Sequence, residues 1–309
     1  MRIFPSLTGT LLLLSSISAH AFSYDAVYAF GDSLSDNGAA HPGLPAAPYA
    51  NGRFSNGSVA VEDLAAKLGA TLYDYAWGGA TTGASNPDLV SYGFGNTGVL
   101  SQVNTYLAGN TAADPNGLYF IWAGGNDLLN AALSSTPATI EANLTLAIHD
   151  AVINLVTEVS ELHAIGAEHF LIPNLTDLGT TPQILTLNLS DPGIKSIATT
   201  ASQAFDLALA AALPAYVTQF DTYSEQALLQ ANAAAYGLSN LTAACFDGTS
   251  VCSNPDSYLY WDDLHPTKIA HQILANGFYA AVVPLPQTGG LLLAGLGLLG
   301  SLKRSRKTH

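Results

Sequence analysis

Five short apolar runs, separated by stretches of helical periodicity, constrain this chain more than any other feature. They cover residues 26–30, 71–76, 118–123, 169–173 and 216–220. Runs of this length and composition read as buried strands. Between them, Val61, Leu64, Ala65 and Leu68 recur at helical spacing within 58–68. Ile140, Leu144, Ile148, Val152, Leu155, Val159 and Leu162 form one stripe within 139–165. Pro137 sits near the start of that helix, where proline is tolerated. A further helix is expected over 194–213, stopped by Pro214, and a last one over 267–283. Strands alternating with helices predict a parallel sheet covered on both faces. The expected fold is therefore α/β, a three-layer α/β/α sandwich with a five-stranded parallel sheet. Ligands bind such sheets at the carboxyl ends of the strands.

Polar and glycine-rich motifs fall at that edge. Gly31-Asp32-Ser33-Leu34 follows the first run, Ala76-Trp77-Gly78-Gly79-Ala80 the second, and Gly124-Gly125-Asn126-Asp127 the third. Asp262-Asp263-Leu264-His265-Pro266 precedes the last helix. A serine hydroxyl is a poor nucleophile at neutral pH unless a base takes its proton. His265 is a suitable base for Ser33, because an unperturbed imidazole titrates near pH 6.5. Asp262 could orient it; Asp263 is the alternative, and the Asp-x-x-His spacing favours Asp262. A tetrahedral intermediate needs fixed donors for its oxyanion. The backbone N–H groups of Ser33 and Gly79 and the side-chain amide of Asn126 are the candidates. Gly78 adjoins Gly79, so the glycine donor is open by one position.

The segment Phe30-Gly31-Asp32-Ser33-Leu34-Ser35-Asp36-Asn37-Gly38 resembles block I of the GDSL, or SGNH, hydrolase family. The motifs at 76–80, 124–127 and 262–266 resemble blocks II, III and V, in family order. With Asn51-Gly52-Arg53-Phe54-Ser55-Asn56-Gly57, the pattern is similar to secreted bacterial lipase, esterase and lysophospholipase-like members. The resemblance implies a flavodoxin-like fold, Ser33 as nucleophile, an Asp262–His265 pair, Gly79 and Asn126 as oxyanion donors, and no cofactor. Block II departs from the family at Asp74, where members often carry Asn, which puts a local structural hydrogen bond in question.

The two ends read as addresses. Arg2, the leucines around 11–14 and Ala19-His20-Ala21 form a signal peptide over 1–21. At the other end, Pro284-Leu285-Pro286-Gln287-Thr288-Gly289, an apolar Gly/Leu run to Leu302 and the basic residues Lys303, Arg304, Arg306 and Lys307 form a sorting signal over 284–309. That run is about 20 Å long as a helix, short for a bilayer core of about 30 Å. Val283-Pro284-Leu285-Pro286 resembles the PEP-CTERM signal read by exosortases, and Leu285-Pro286-Gln287-Thr288-Gly289 matches the sortase pattern; the first is preferred. The expected partner is a sorting transpeptidase or protease, and the expected location is secreted or on a bacterial surface, with transient membrane retention. One hydrolase domain is expected over 22–283. All 23 Asp and Glu residues lie in it against four of the nine Lys and Arg. Such a surface repels nucleic acid and anionic lipid.

In an exported chain, Cys245 and Cys252 read as one short disulfide loop. His41, His149, His163, His169 and His271 show no metal-like spacing, so no metal site is expected and packing is their default. Trp77, Trp122 and Trp261 all fall inside motifs and could line an apolar acyl pocket, although core packing suits Trp122 better. Arg53 could meet an anionic substrate group or an acidic surface residue. The expected function is a serine ester hydrolase working through an acyl-enzyme on a lipid, lysophospholipid or short-chain ester. A polysaccharide O-acetylesterase and a non-catalytic surface binding protein on the same fold are the alternatives.

Overall fold

The computed structural model describes residues 23–41 and 43–283. The segments read as a signal peptide and as a sorting tail lie outside the described residues. Five strands form a parallel sheet: β1 (Ala26–Gly31), β2 (Thr71–Asp74), β3 (Gly117–Trp122), β4 (His169–Pro173) and β5 (Val217–Phe220). Their spatial order is β2-β1-β3-β4-β5. All five apolar runs are strands. The second is shorter than expected and ends at Asp74, where the side chain accepts the backbone N–H of Ala76 and turns the chain.

The sheet alternates in a way that explains its two helical layers. Every residue of central β3 is buried. Tyr119 and Ile121 face a large apolar core with Val152, Leu155, Val159, Phe205 and Leu209. Phe120 and Trp122 face the other way, with ring centroids 5.4 and 5.6 Å from Phe278. The first layer is built by α2 (Val99–Gly109), α3 (Gly125–Leu133), α4 (Ile140–Ala164), α5 (Pro182–Ser190) and α6 (Ile194–Ala212). The second holds α1 (Ala60–Leu68) packed on α8 (Lys268–Val282), with α7 (Thr222–Ala231) beside α8. His271 ties this second layer together, its Nδ1 accepting the N–H of Ala60 at 3.2 Å. Burial pushes its pKa down to about 3, so the ring is neutral.

Four helices and a small second sheet are absent from the apolar pattern. Helix α3 starts inside the Gly124-Gly125-Asn126-Asp127 motif, and glycine is a poor helix former. Strands β6 (Asn240–Ala244) and β7 (Tyr258–Tyr260) pair in parallel but are short, and β6 is partly exposed, so neither alternates cleanly. Their role is to carry the chain toward Asp262.

One buried group works against the fold. Glu158 of α4 is fully buried and neither carboxyl oxygen has a hydrogen-bond partner. Burial, with the charges of Asp127 and Glu161 added, raises its pKa well above the ordinary value. The folded state thus holds a proton that the unfolded chain releases above about pH 4.3, so stability falls as pH rises through that window. Glu158→Leu is expected to stabilise the protein by about 1–3 kcal/mol at alkaline pH. The gain should shrink toward acid pH, as read from melting temperatures at pH 5 and pH 8.

Candidate active site

Ser33 lies in the turn that leaves β1. The carbonyl of Asp32 accepts the N–H groups of both Ser35 and Asp36 at 3.0 Å, and the Asp32 carboxylate accepts the N–H of Leu34 at 3.0 Å. Gly31 is required by its neighbour: a Cβ there would stand 2.5 Å from the carbonyl oxygen of Trp122. The side-chain amide of Gln102 holds both backbone groups of Gly31, at 2.9 and 2.8 Å. The nucleophile candidate therefore sits on a turn fixed from three sides.

His265 reaches Ser33 across the chain. Its Nε2 is 2.8 Å from Ser33 Oγ, and its Nδ1 is 2.8 Å from Asp262 Oδ2. The Asp262 carboxylate also accepts the N–H of Leu264 at 2.9 Å and of His265 at 2.6 Å. Tyr49 donates its hydroxyl to the same carboxylate at 2.8 Å. Burial would raise the pKa of Asp262, but the charge and hydrogen bonds of His265 and the turn N–H groups hold it at about 2. For His265 burial disfavours the cation, yet the charge and hydrogen bond of Asp262 outweigh it and lift the pKa above the ordinary value. An ionised Asp262 requires the proton on Nδ1, which leaves Nε2 free to accept from the Ser33 hydroxyl. Asp263 makes no contact with the ring; its carbonyl accepts the N–H of Gln183, and its side chain is exposed.

The segment 51–57 clamps the histidine loop. Ser55 donates to the carbonyl of Pro266 at 2.9 Å, and Asn56 Oδ1 accepts the N–H of Lys268 at the start of α8. Trp261 N–H closes the turn on the carbonyl of His265 at 2.7 Å. Cys245 and Cys252 are disulfide-bonded, and the N–H of Phe246 bonds the carbonyl of Trp261 at 2.6 Å. The disulfide loop thus buttresses the residue before Asp262.

On the opposite side of Ser33, the adjacent glycines are distinguished. Gly78 donates its N–H to Asp36 Oδ2 at 2.7 Å. Gly79 has φ +78°, a left-handed conformation that glycine adopts without penalty. Among the described residues, the N–H groups of Gly79 and Ser33 make no hydrogen bond. Asn126 spends one amide hydrogen on the carbonyl of Ala80 at 3.0 Å and has a second to offer. Asp36 is the anchor of this region. It also accepts the N–H of Gly38 and pairs with His41 at 2.6 Å. Asp74, the departure from the family pattern, accepts the N–H groups of Asn37 and Ala76, so the carboxylate makes the hydrogen bonds placed in question.

Several expectations change. His41 packs on Trp77 and is also a buried partner of Asp36; burial lowers its pKa, and the hydrogen bond and charge of Asp36 more than reverse this. Of the two readings of Arg53, the structure shows the acidic partner: it forks onto Glu62 through two 2.7 Å bonds. Of the three tryptophans, only Trp122 lines the cavity beside Ser33. Trp77 packs on His41 and Phe94, and Trp261 on Phe246 and Tyr49. That cavity has a volume of about 70 Å³ and is mostly apolar. Sequence reading missed Tyr49, Gln102 and the Asp36–His41 pair. Each acts through a partner at least five residues away, so no local pattern marks it.

A serine hydroxyl, an imidazole and a carboxylate joined by hydrogen bonds at the carboxyl edge of a parallel α/β sheet, beside an apolar cavity, form the candidate site. A sequence model described as GDSL-like Lipase/Acylhydrolase matches residues 27–278, and the chain belongs to that family. It is 32% identical over 206 residues to Lipase 1 of Photorhabdus luminescens, a match covering 63% of this chain and only 29% of that lipase. It is 28% identical over 323 residues to acetylajmalan esterase 2 of Rauvolfia serpentina, covering 81% of this chain and 88% of the relative. It is 24% identical over 325 residues to phosphatidylcholine-sterol acyltransferase of Aeromonas hydrophila, covering 88% and 94%. The protein is a carboxylic ester hydrolase of this family.

The Tyr49 contact has a measurable consequence. Tyr49→Phe removes a donor from Asp262, which leaves more of its charge on His265 and raises the histidine pKa. The acid limb of the rate profile is expected to move to higher pH, with a few-fold loss of kcat/KM at neutral pH. A pH series of initial rates on a soluble ester checks it.

Proposed function

We propose that this protein hydrolyses carboxylic esters through a Ser33–His265–Asp262 triad and an acyl-enzyme. The unbroken run of hydrogen bonds from Ser33 Oγ through the imidazole to the Asp262 carboxylate carries the reading. Ser33 Oγ attacks the ester carbonyl carbon as His265 Nε2 takes its proton. The oxyanion is received by the N–H groups of Ser33 and Gly79 and by the Asn126 amide, supported by the unengaged backbone donors at 33 and 79. The imidazolium, stabilised by Asp262, then gives its proton to the leaving alcohol. Water, activated by the same imidazole, releases the acid and restores Ser33.

A fluorophosphonate is expected to label folded protein at Ser33, which a non-catalytic binding protein would not permit. Ser33→Ala should lower kcat by about 10⁴-fold or more with the fold intact. Asp262→Asn should cost far more than Asp263→Asn, because only Asp262 meets the ring. A His265 pKa above its ordinary value places the acid limb of kcat/KM above about pH 6.5, with activity lost as pH falls through it. Full turnover by Ser33→Ala, or equal losses from the two aspartate variants, contradicts the mechanism.

We also propose export, with cleavage after the leader over 1–21 and removal of the tail within 283–289. The sequence of these segments supports this, as does a disulfide, which persists in oxidising compartments. Mass spectrometry of the surface form is expected to find a C-terminus between Val283 and Gly289. An end near Pro284 indicates exosortase, a cut after Thr288 indicates sortase, and an intact His309 rejects processing.

A further inference from the structure

We infer that the cavity beside Ser33 is the acyl subsite and that it selects a neutral, linear aliphatic acyl chain of medium length over an acetyl group. The inference rests on Ser33 being the nucleophile. Ser33, Asn126 and His265 line the same cavity as the apolar side chains that extend it inward. An acyl group bonded to Ser33 Oγ therefore has one apolar space to enter. Its inner wall is Leu229 of α7, Leu259 of β7 and Ala270 of α8, all nearly inaccessible to water. These three belong, with Leu238, Tyr260 and Ile273, to a small apolar cluster behind that wall.

Two polar side chains of the lining, Gln226 and Thr181, are bonded within the protein. Gln226 accepts the N–H of Asp177 at 2.7 Å and donates to Thr180 and to the Tyr260 hydroxyl, at 3.1 and 3.0 Å. Thr181 bonds the carbonyl of Leu178 and caps α5 through the N–H of Ile184. With these two satisfied internally, the walls present mostly carbon. A glycan would lose its hydrogen bonds to water there and gain few in return. Asp32 and Glu225 are the acidic groups of the lining, which disfavours a chain ending in a carboxylate. An acetyl methyl would leave most of this apolar space unfilled, whereas each methylene drawn in is worth about a fourfold gain in binding.

The position of Ala270 makes it the stop. It is the smallest side chain of the inner wall and lies on α8, five residues after His265. A larger group there shortens the cavity, and a smaller group at Leu229 lengthens it.

The test is kcat/KM on nitrophenyl acetate, butyrate, octanoate and palmitate for the full chain. Octanoate is expected to exceed acetate by more than about tenfold, and palmitate to fall below octanoate because the chain overruns the closed end. Ala270→Phe should lower the octanoate-to-acetate ratio by about tenfold or more, and Leu229→Ala should raise the ratio of palmitate to octanoate. If Ala270→Phe fails to fold, Leu229→Ala alone decides. Acetate as the preferred ester, or an unchanged profile in Leu229→Ala, overturns the inference. Failure of the underlying mechanism looks different: no ester is turned over, or Ser33→Ala keeps the activity.

Discussion

The structure depends on one hydrogen bond made across 232 positions of chain, from His265 Nε2 to Ser33 Oγ. Neither residue can reach the other from its own element. Ser33 is held by the turn at the end of β1, and His265 by a turn between β7 and α8. Most of the polar structure near the site brings these two turns into register. Ser55, Asn56 and the disulfide loop grip the histidine side, while Gln102 grips the serine side. The asparagine- and glycine-containing segment 51–57 is in this light a brace, and its arginine closes on Glu62 rather than on substrate.

Electrostatics follow from the same arrangement. The chain is strongly acidic, and several carboxylates are buried. Burial lifts Asp32 to about 7 and Asp127 to about 6, whatever their N–H donors return. Asp262 stands apart, because a cationic partner and three further donors outweigh its burial. Asp262 is therefore held ionised beside the His265 ring, whereas burial raises the pKa of Asp32, Asp127 and Asp263. Asp36 occupies the N–H of Gly78, while that of Gly79 is unengaged among the described residues.

The helical layers divide the work. The α2–α6 layer holds the large core. A smaller apolar cluster lies among α7, α8 and the two-stranded sheet, and the cavity is lined both from it and from Asn126, Leu129, Leu178 and Thr181. A helix that begins three residues after the catalytic histidine candidate thus supplies both its anchorage and the inner wall of the cavity.

The sequence by itself determined the sheet and the motifs that gather at its edge. The five apolar runs are long and uninterrupted because a parallel sheet is buried on both faces, so hydrophobic periodicity records them directly. Gly31-Asp32-Ser33, Gly79, Asn126 and the Asp262-x-x-His265 pair are legible because each is a local motif at a strand exit or helix start. What only the tertiary structure decided is everything set by partners distant in sequence. It separated Gly78 from Gly79 through Asp36, chose Asp262 over Asp263, added Tyr49 to the carboxylate and joined His41 to Asp36. It also placed one tryptophan of three at the cavity. The physical reason is that a hydrogen bond or an apolar wall needs atoms a few ångströms apart, and a linear pattern records only the spacing along the chain.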